Sequence, residues 1–225
     1  MPTNHTDDDL TQTGLTETRL RHLLTAVEHD PERMRGDHDL NPGFHFPDAP
    51  RSASVLIGIV PRTEGPTLIF TRRTDHLHAH AGQISFPGGR AEAEDASAEA
   101  TALREAEEEI GLSHQQVEII GRLDTYSTRT GFRVTPVVAL VRTPFELTPD
   151  PYEVAEVFEV PLAVFLAPNQ PQRHGRMLLG AHRYFYAFPY RDYYIWGATA
   201  GMLVNLSQVL DRSICFPSPI PEPNR

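Results

Sequence analysis

Residues 88–112 read Gly88-Gly-Arg-Ala-Glu-Ala-Glu-Asp-Ala-Ser-Ala-Glu-Ala-Thr-Ala-Leu-Arg-Glu-Ala-Glu-Glu-Glu-Ile-Gly-Leu112. A glycine pair behind Pro87 opens onto a run of good helix formers, and Gly111 stops it. At 3.6 residues per turn, Glu105, Glu108 and Glu109 fall within an arc of roughly 100°, with Leu103 and Ile110 on the opposite side. One face is apolar and can dock on a core; the other gathers three carboxylates and is expected to be exposed. Like charges at these spacings repel by about 0.2–0.5 kcal/mol per pair, and a divalent cation would turn that repulsion into attraction. A run of glutamates on a helix is ordinarily a solvated face. What distinguishes this one is the combination of the Pro87-Gly88-Gly89 entry, the Arg104-Glu105 pair, the Glu108-Glu109 pair and the glycine stop.

The rest of the chain bounds what such a site can serve. Its 225 residues suit one domain with extensions, or at most two small ones. A formal net charge of -10 argues against a nonspecific nucleic-acid binder, but not against an anionic substrate held by a metal and local arginines. The single cysteine, Cys215, can form neither an internal disulfide nor a thiolate metal site and reads as a packing residue. The polar, acidic N-terminus lacks a secretory pattern, and no apolar run approaches the ~20 residues that span a bilayer. The expectation is a soluble, cytoplasmic protein without a membrane partner.

Residues 1–14 are rich in Thr and Asp and are expected to be disordered. Leu20, Leu23, Leu24 and Val27 predict an amphipathic helix over 16–29. Residues 30–50, with Pro31, Pro42, Pro47 and Pro50, read as a linker or wrapped arm. Strands are predicted at 53–60 and 66–72, then at 117–121, 134–141 and 157–161. A brief helix follows near 162–166, an aromatic hairpin at 183–195 and a helix at 197–211. The tail, with Pro217, Pro219, Pro221 and Pro223, excludes regular helix or a central strand. No repeats are present. The order of elements predicts an α/β or α+β sandwich, divided as an extension over 1–49, a main domain over 50–212 and a proline-rich tail over 213–225.

Magnesium takes oxygen ligands in octahedral geometry and usually keeps several waters. Helical carboxylates supply part of that shell and leave room for phosphate oxygens. Gly88 and Gly89 allow the backbone to come close to the metal or a phosphate, and Arg104 can pair with Glu108 one turn on or orient another carboxylate. The chemistry this permits is metal-assisted hydrolysis of a phosphoanhydride.

The stretch from Gly89 to Leu112 resembles the Nudix box, Gly-x5-Glu-x7-Arg-Glu-U-x-Glu-Glu-x-Gly-U with U apolar. Its second half matches at Arg104, Glu105, Ala106, Glu108, Glu109, Gly111 and Leu112. In the first half Asp95 stands at the acidic position, and eight residues rather than seven separate it from Arg104. Upstream, residues 69–89 resemble the signature of coenzyme A diphosphatases. Thr71, Arg73, Gly82, Phe86, Pro87, Gly88 and Gly89 match it, Thr74 replaces a small Ser/Ala and His78 replaces an arginine. The segments 153–162 and 194–203 also resemble that branch.

The resemblance covers roughly residues 50–212 and implies a Nudix-type α/β/α sandwich with a mixed sheet. It implies Mg²⁺ or Mn²⁺ on Glu105 and Glu109, with Glu108 joining or positioning water. It also implies a general base drawn from a box glutamate or a distant loop, where Glu153 and Glu156 are the candidates. The substrate implied is coenzyme A or an acyl-CoA, cut to adenosine 3′,5′-bisphosphate and (acyl-)4′-phosphopantetheine. The rivals are hydrolysis of ADP-ribose, a dinucleotide or a nucleoside triphosphate, and a nucleotide-sensing module without catalysis. A homodimer is an admissible assembly.

Several other residues carry expectations. Arg73, next to the glycines, is expected to bind phosphate or to pair with a box glutamate. His76, His78 and His80 alternate, so on an extended segment they share a face. Zinc is possible there, but lining the phosphate path, with His78 as a substrate contact, fits the oxygen-rich site better. Thr128–Gly131 reads as a mobile loop with Arg129 facing nucleotide or solvent. Trp196 and the tyrosines at 184, 186, 190, 193 and 194 read mostly as core and interface rather than adenine-stacking groups.

Overall fold

The computed structural model describes residues 15–25, 34–41, 49–76, 81–167, 169–178 and 180–211. In chain order the elements are α1 (Glu17–Thr25), β1 (Arg35–Gly36), β2 (Arg51–Val60), β3 (Thr67–Arg73), β4 (Ile84–Ser85), β5 (Gly88–Arg90), α2 (Ala98–Ile110), β6 (Val117–Arg122), β7 (Tyr126–Ser127), β8 (Phe132–Val141), β9 (Val154–Pro161), α3 (Leu162–Phe165), β10 (Gln172–Leu178), β11 (Ala181–Tyr190), β12 (Tyr193–Trp196) and α4 (Ala198–Leu210). Among the described residues nine strands make one mixed sheet in the order β1-β7-β8-β2-β3-β4, with β5 on β2, β6 on β8 and β9 on β3. A separate sheet carries β10-β11-β12.

The central strands alternate between two cores. Ile57, Ile59, Leu68, Phe70, Val138 and Leu140 face one side, under α1, α4 and the smaller sheet. Leu56, Val60, Ile69, Val137, Ala139 and Val141 face the other, under α2. Burial on both faces explains why β2 and β8 read as near-continuous apolar runs rather than alternating ones. Phe70, Phe86 and Phe165 are fully buried in the first core, with Phe70 stacked on Phe86 at 4.8 Å between centroids. Phe86 thereby anchors the chain just before the glycine pair. This is the expected mixed-sheet sandwich with helices on both faces.

Particular expectations shift. The helix of the extension ends at Thr25 in the described chain, and the predicted residues 26–29 lie outside the described residues, as do 1–14 and the tail from 212 onward. The arm is wrapped. β1 runs parallel to β7, the Tyr126 hydroxyl donates to Asp37 Oδ1 at 2.9 Å, and Asn41 bonds both the carbonyl and the N–H of Tyr184. The strand expected at 157–161 begins earlier, at Val154. The aromatic hairpin is β11 and β12, turning at Arg191-Asp192, and β10 adds a third strand that the sequence reading missed. Tyr186, Tyr190 and Tyr193 pack against the first core, as expected of most of the tyrosines.

The loop at 128–131 is a pinned turn. Thr128 is buried, its N–H donates to the Phe132 carbonyl at 2.8 Å, and the Arg129 N–H donates to Asp37 at 2.7 Å. No helix among the described residues is long and apolar enough to cross a membrane.

Candidate active site

Ser97 caps α2, accepting the Ala100 N–H on its side chain, and Gly111 closes it in the left-handed conformation at φ 68. Before the helix, Gly88–Arg90 form the short strand β5. Gly88, Gly89 and Arg90 pair with Val55, Ser54 and Ala53 of β2. This strand lies against the carboxylate edge of α2. The Gly88 N–H donates to Glu109 Oε2 at 3.0 Å. A Cβ on Gly89 would sit 2.5 Å from the carboxylate carbon and both oxygens of Glu105. A Cβ on Gly88, whose φ is +152, would sit 2.4 Å from the Ser54 carbonyl oxygen. Backbone and carboxylates approach this closely only because neither residue carries a side chain.

The three box glutamates therefore do not share one exposed face. The Glu109 side chain is 6% exposed, Glu105 17% and Glu108 60%. The expectation of an exposed trio is corrected: β5 and Arg73 cover the edge of the helix that carries Glu105 and Glu109. Burial pushes the Glu109 carboxyl up to about 7; the Gly88 N–H and Arg73 oppose the shift, while Glu105 and Glu153 add to it. Burial also raises Glu105, against the pull of Arg104. Among the described residues no three His, Cys, Asp or Glu side chains converge as a ready metal cage.

Glu108 is turned away onto Arg104. That guanidinium is the hub of the helix face. It donates to Asp95 from Nε at 3.1 Å and Nη2 at 3.0 Å, to Glu105 at 3.1 Å, to Glu108 at 2.9 Å and to the Arg90 carbonyl at 3.0 Å. Asp95 also accepts the Glu92 N–H and the Thr101 hydroxyl, and Arg104 is the main cause holding its carboxyl well below the usual range. The first acidic position of the box, one residue out of step in the sequence, thus fastens Arg104 to the loop ahead of the helix, while the Arg90 carbonyl ties it to the glycine strand. A fork of five donors makes such bridging possible.

Arg73 approaches from the end of β3. Strand alternation from Ile69 puts it on the α2 side, at the irregularity where β3 pairs β9. Its Nη1 lies 3.6 Å from Glu109 and its Nη2 3.9 Å from Glu153. Both distances are too long for hydrogen bonds, and its buried Nε has no partner. Glu156, the other distant candidate for a base, faces the opposite side: Arg72 lies 3.1 Å away and the Tyr193 hydroxyl donates to it at 2.6 Å. The structure brings together Glu105, Glu109, Arg73, Glu153, Gly88 and Gly89 and leaves Glu156 apart. His78 and His80 lie outside the described residues, as does the zinc alternative that needs them. The sequence reading missed that Asp95 anchors Arg104; its position just ahead of the helix, nine residues before the arginine, was the only sign.

The carboxylates fit a hard divalent ion. The donors are oxygens, two of them are withdrawn from water and mutually repelling, and the glycine strand leaves Glu105 room beside the backbone. The same burial predicts a pH signature. A carboxyl raised from its ordinary 4.5 to about 7 binds its proton more tightly folded than unfolded. Its contribution to stability is therefore full below about pH 4.5 and falls as pH rises to about 7, by at most about 3 kcal/mol. In metal-free protein, Glu109→Gln should melt progressively higher than the parent between those pH values and hold that advantage above them. A difference in melting temperature independent of pH would contradict the buried, raised carboxyl.

Comparisons with known proteins give the family. The NUDIX domain matches residues 50–180. The chain is 40% identical over 167 residues to the uncharacterized Nudix hydrolase NudL of Photorhabdus laumondii, covering 74% of this chain and 89% of that protein. It is 40% identical over 172 residues to the one of Yersinia pestis, covering 76% and 86%. Among solved structures, a MutT/nudix family protein from Enterococcus faecalis superposes with a TM-score of 0.46 at 17% identity, over 75% of this chain and 65% of that one. An Ap4A hydrolase of C. elegans gives 0.44 at 16%, over 49% and 80%. Matched across its glycine strand, its glutamate helix and the strands that hold them, the chain belongs to the Nudix hydrolase family.

Proposed function

We propose that the protein hydrolyses the diphosphate of coenzyme A or an acyl-CoA, with Mg²⁺ or Mn²⁺ held by Glu105 and Glu109. Its family acts on nucleoside diphosphate-linked substrates; the finer assignment rests on the signature at Thr71, Arg73, Gly82 and Phe86–Gly89. The observation that carries the reading is Arg73, a guanidinium with unbonded donors facing the buried carboxylate of Glu109 and the half-exposed one of Glu153. An arginine so placed suits an incoming phosphate.

A bound dication would polarise a phosphoryl oxygen and acidify a water. Arg104, fixed by Asp95, orients Glu105. Glu108 would help hold the ion once released from Arg104. Glu153, 44% exposed and beside Arg73, takes the proton of the attacking water. Arg73 and the Gly88-Gly89 backbone hold the phosphates, with His78 as a further contact. Attack on one phosphorus breaks its bond to the bridging oxygen, which leaves on the other phosphate. The products are adenosine 3′,5′-bisphosphate and (acyl-)4′-phosphopantetheine. Substrate and catalyst are soluble partners, consistent with a cytoplasmic enzyme.

His78 at a position the signature gives to arginine favours a second reading, hydrolysis of ADP-ribose, a dinucleotide or a nucleoside triphosphate. Incubation with Mg²⁺ and a panel of coenzyme A, acetyl-CoA, ADP-ribose, NADH and nucleoside triphosphates, with products identified by mass, separates the two. Cleavage confined to coenzyme A species is the expected result; cleavage of the others alone would overturn it. In the same assay Arg73→Ala should raise KM about tenfold or more, the worth of a charged hydrogen bond, and an unchanged KM for every substrate would remove its phosphate role.

A further inference from the structure

Beside the candidate active site stands an aromatic ring with no role in the chemistry above. Tyr152 is 65% exposed, although it is a large apolar side chain on a well-fastened loop. Its N–H donates to Asp150 Oδ1 at 2.9 Å, and its carbonyl accepts the Thr74 hydroxyl at 2.8 Å. The next carbonyl, of Glu153, accepts the Thr74 N–H at 3.0 Å. These bonds tie the loop to the residue that follows Arg73, so Tyr152 is carried directly by the two segments that bring Arg73 and Glu153 to the carboxylates. The His76 ring meets it at 5.0 Å between centroids and 59° between planes. That tilted contact braces the ring and leaves much of its surface open. A ring held in place with two torsions to fix loses little entropy when a flat partner covers it.

We propose that Tyr152, braced by His76, is the shelf on which the nucleobase of the substrate stacks, and that this ring contributes to selection for nucleoside-bearing diphosphates. The inference rests on the phosphoanhydrolase reading above and adds what holds the far end of the substrate. Stacking tolerates any base because every base has a π face, so the shelf selects for the presence of a base rather than its identity.

The test compares Tyr152→Ala and Tyr152→Phe with the parent. One readout is direct: quenching of an ethenoadenosine diphosphate probe on binding, which stacking produces without turnover. The second is the ratio of kcat/KM for the best nucleotide substrate to that for 5-phosphoribosyl 1-diphosphate, which carries a diphosphate and no base. The expected result is that Tyr152→Ala abolishes the quench, weakens probe binding about tenfold and lowers the ratio about tenfold, while Tyr152→Phe retains all three. Unchanged probe binding and an unchanged ratio in Tyr152→Ala would overturn the shelf, and so would an equal loss on both substrates, which would mark damage to the Glu153 loop. If the parent cleaves no diphosphate, the hydrolase reading fails by itself, and the quench still decides the shelf.

Discussion

Glu105→Gln and Glu109→Gln should each lower Mg²⁺-dependent turnover on the order of 100-fold or more, since losing even an outer partner of a metal site costs 10–100-fold. Neither should unfold the protein. Glutamine at 109 can still accept the Gly88 N–H through its amide oxygen, and it removes a charge from a site where only 6% of the side chain meets water. Glutamine at 105 leaves Arg104 its bonds to Asp95 and Glu108. Glu108→Gln should have a smaller effect, because that carboxylate is exposed and already spent on Arg104. The measurement is kcat together with a thermal melt of each variant. Near-normal turnover in the 105 or 109 variant would remove that residue from the metal site, whereas lost turnover with a collapsed melting temperature would make its role structural.

The adjacent glycines should fail in different ways. At Gly89 an added methyl meets only the end of the Glu105 side chain, which can swing aside. Gly89→Ala should therefore fold normally and lose most of its turnover, with weakened Mn²⁺ binding. At Gly88 the methyl meets the Ser54 carbonyl and the Val55 Cα, both backbone, at a φ that disfavours any side chain. Gly88→Ala should destabilise the protein by roughly 1–3 kcal/mol or more. Denaturant melts and Mn²⁺ titrations of the pair check both statements. A destabilised Gly89→Ala that keeps its activity would contradict the placement of Glu105 against the strand.

Much of this was legible in the chain because helical periodicity and cap chemistry are local. Ser97, the run to Ile110 and Gly111 specify α2 without help from the rest of the fold. The exposure of its glutamates was not local. Glu109 is buried because β5 returns along β2 and closes over that edge of the helix, and no spacing within residues 98–110 encodes where a strand will lie. The choice between Glu153 and Glu156 was hidden for a similar reason. Glu156 pairs with Arg72 on one face while Glu153 reaches Arg73 on the other, and no spacing within the segment says which of the two faces will carry α2. The strand β10 escaped because its charged and polar residues, Gln172 to Arg176, carry no apolar alternation on which to read a strand.

The wrapped arm bears on how the molecule holds together. Asp37 receives both the Tyr126 hydroxyl and the Arg129 N–H, and Arg35 reaches the buried Asp124 at 3.0 Å. A chain shortened to begin at residue 50, where the recognisable family segment starts, would strand the Tyr126 phenol in the interior without Asp37 and take from Asp124 its arginine. The family segment and the packed unit therefore have different borders, since residues 15–25 and 34–41 lie outside the first and pack with the second.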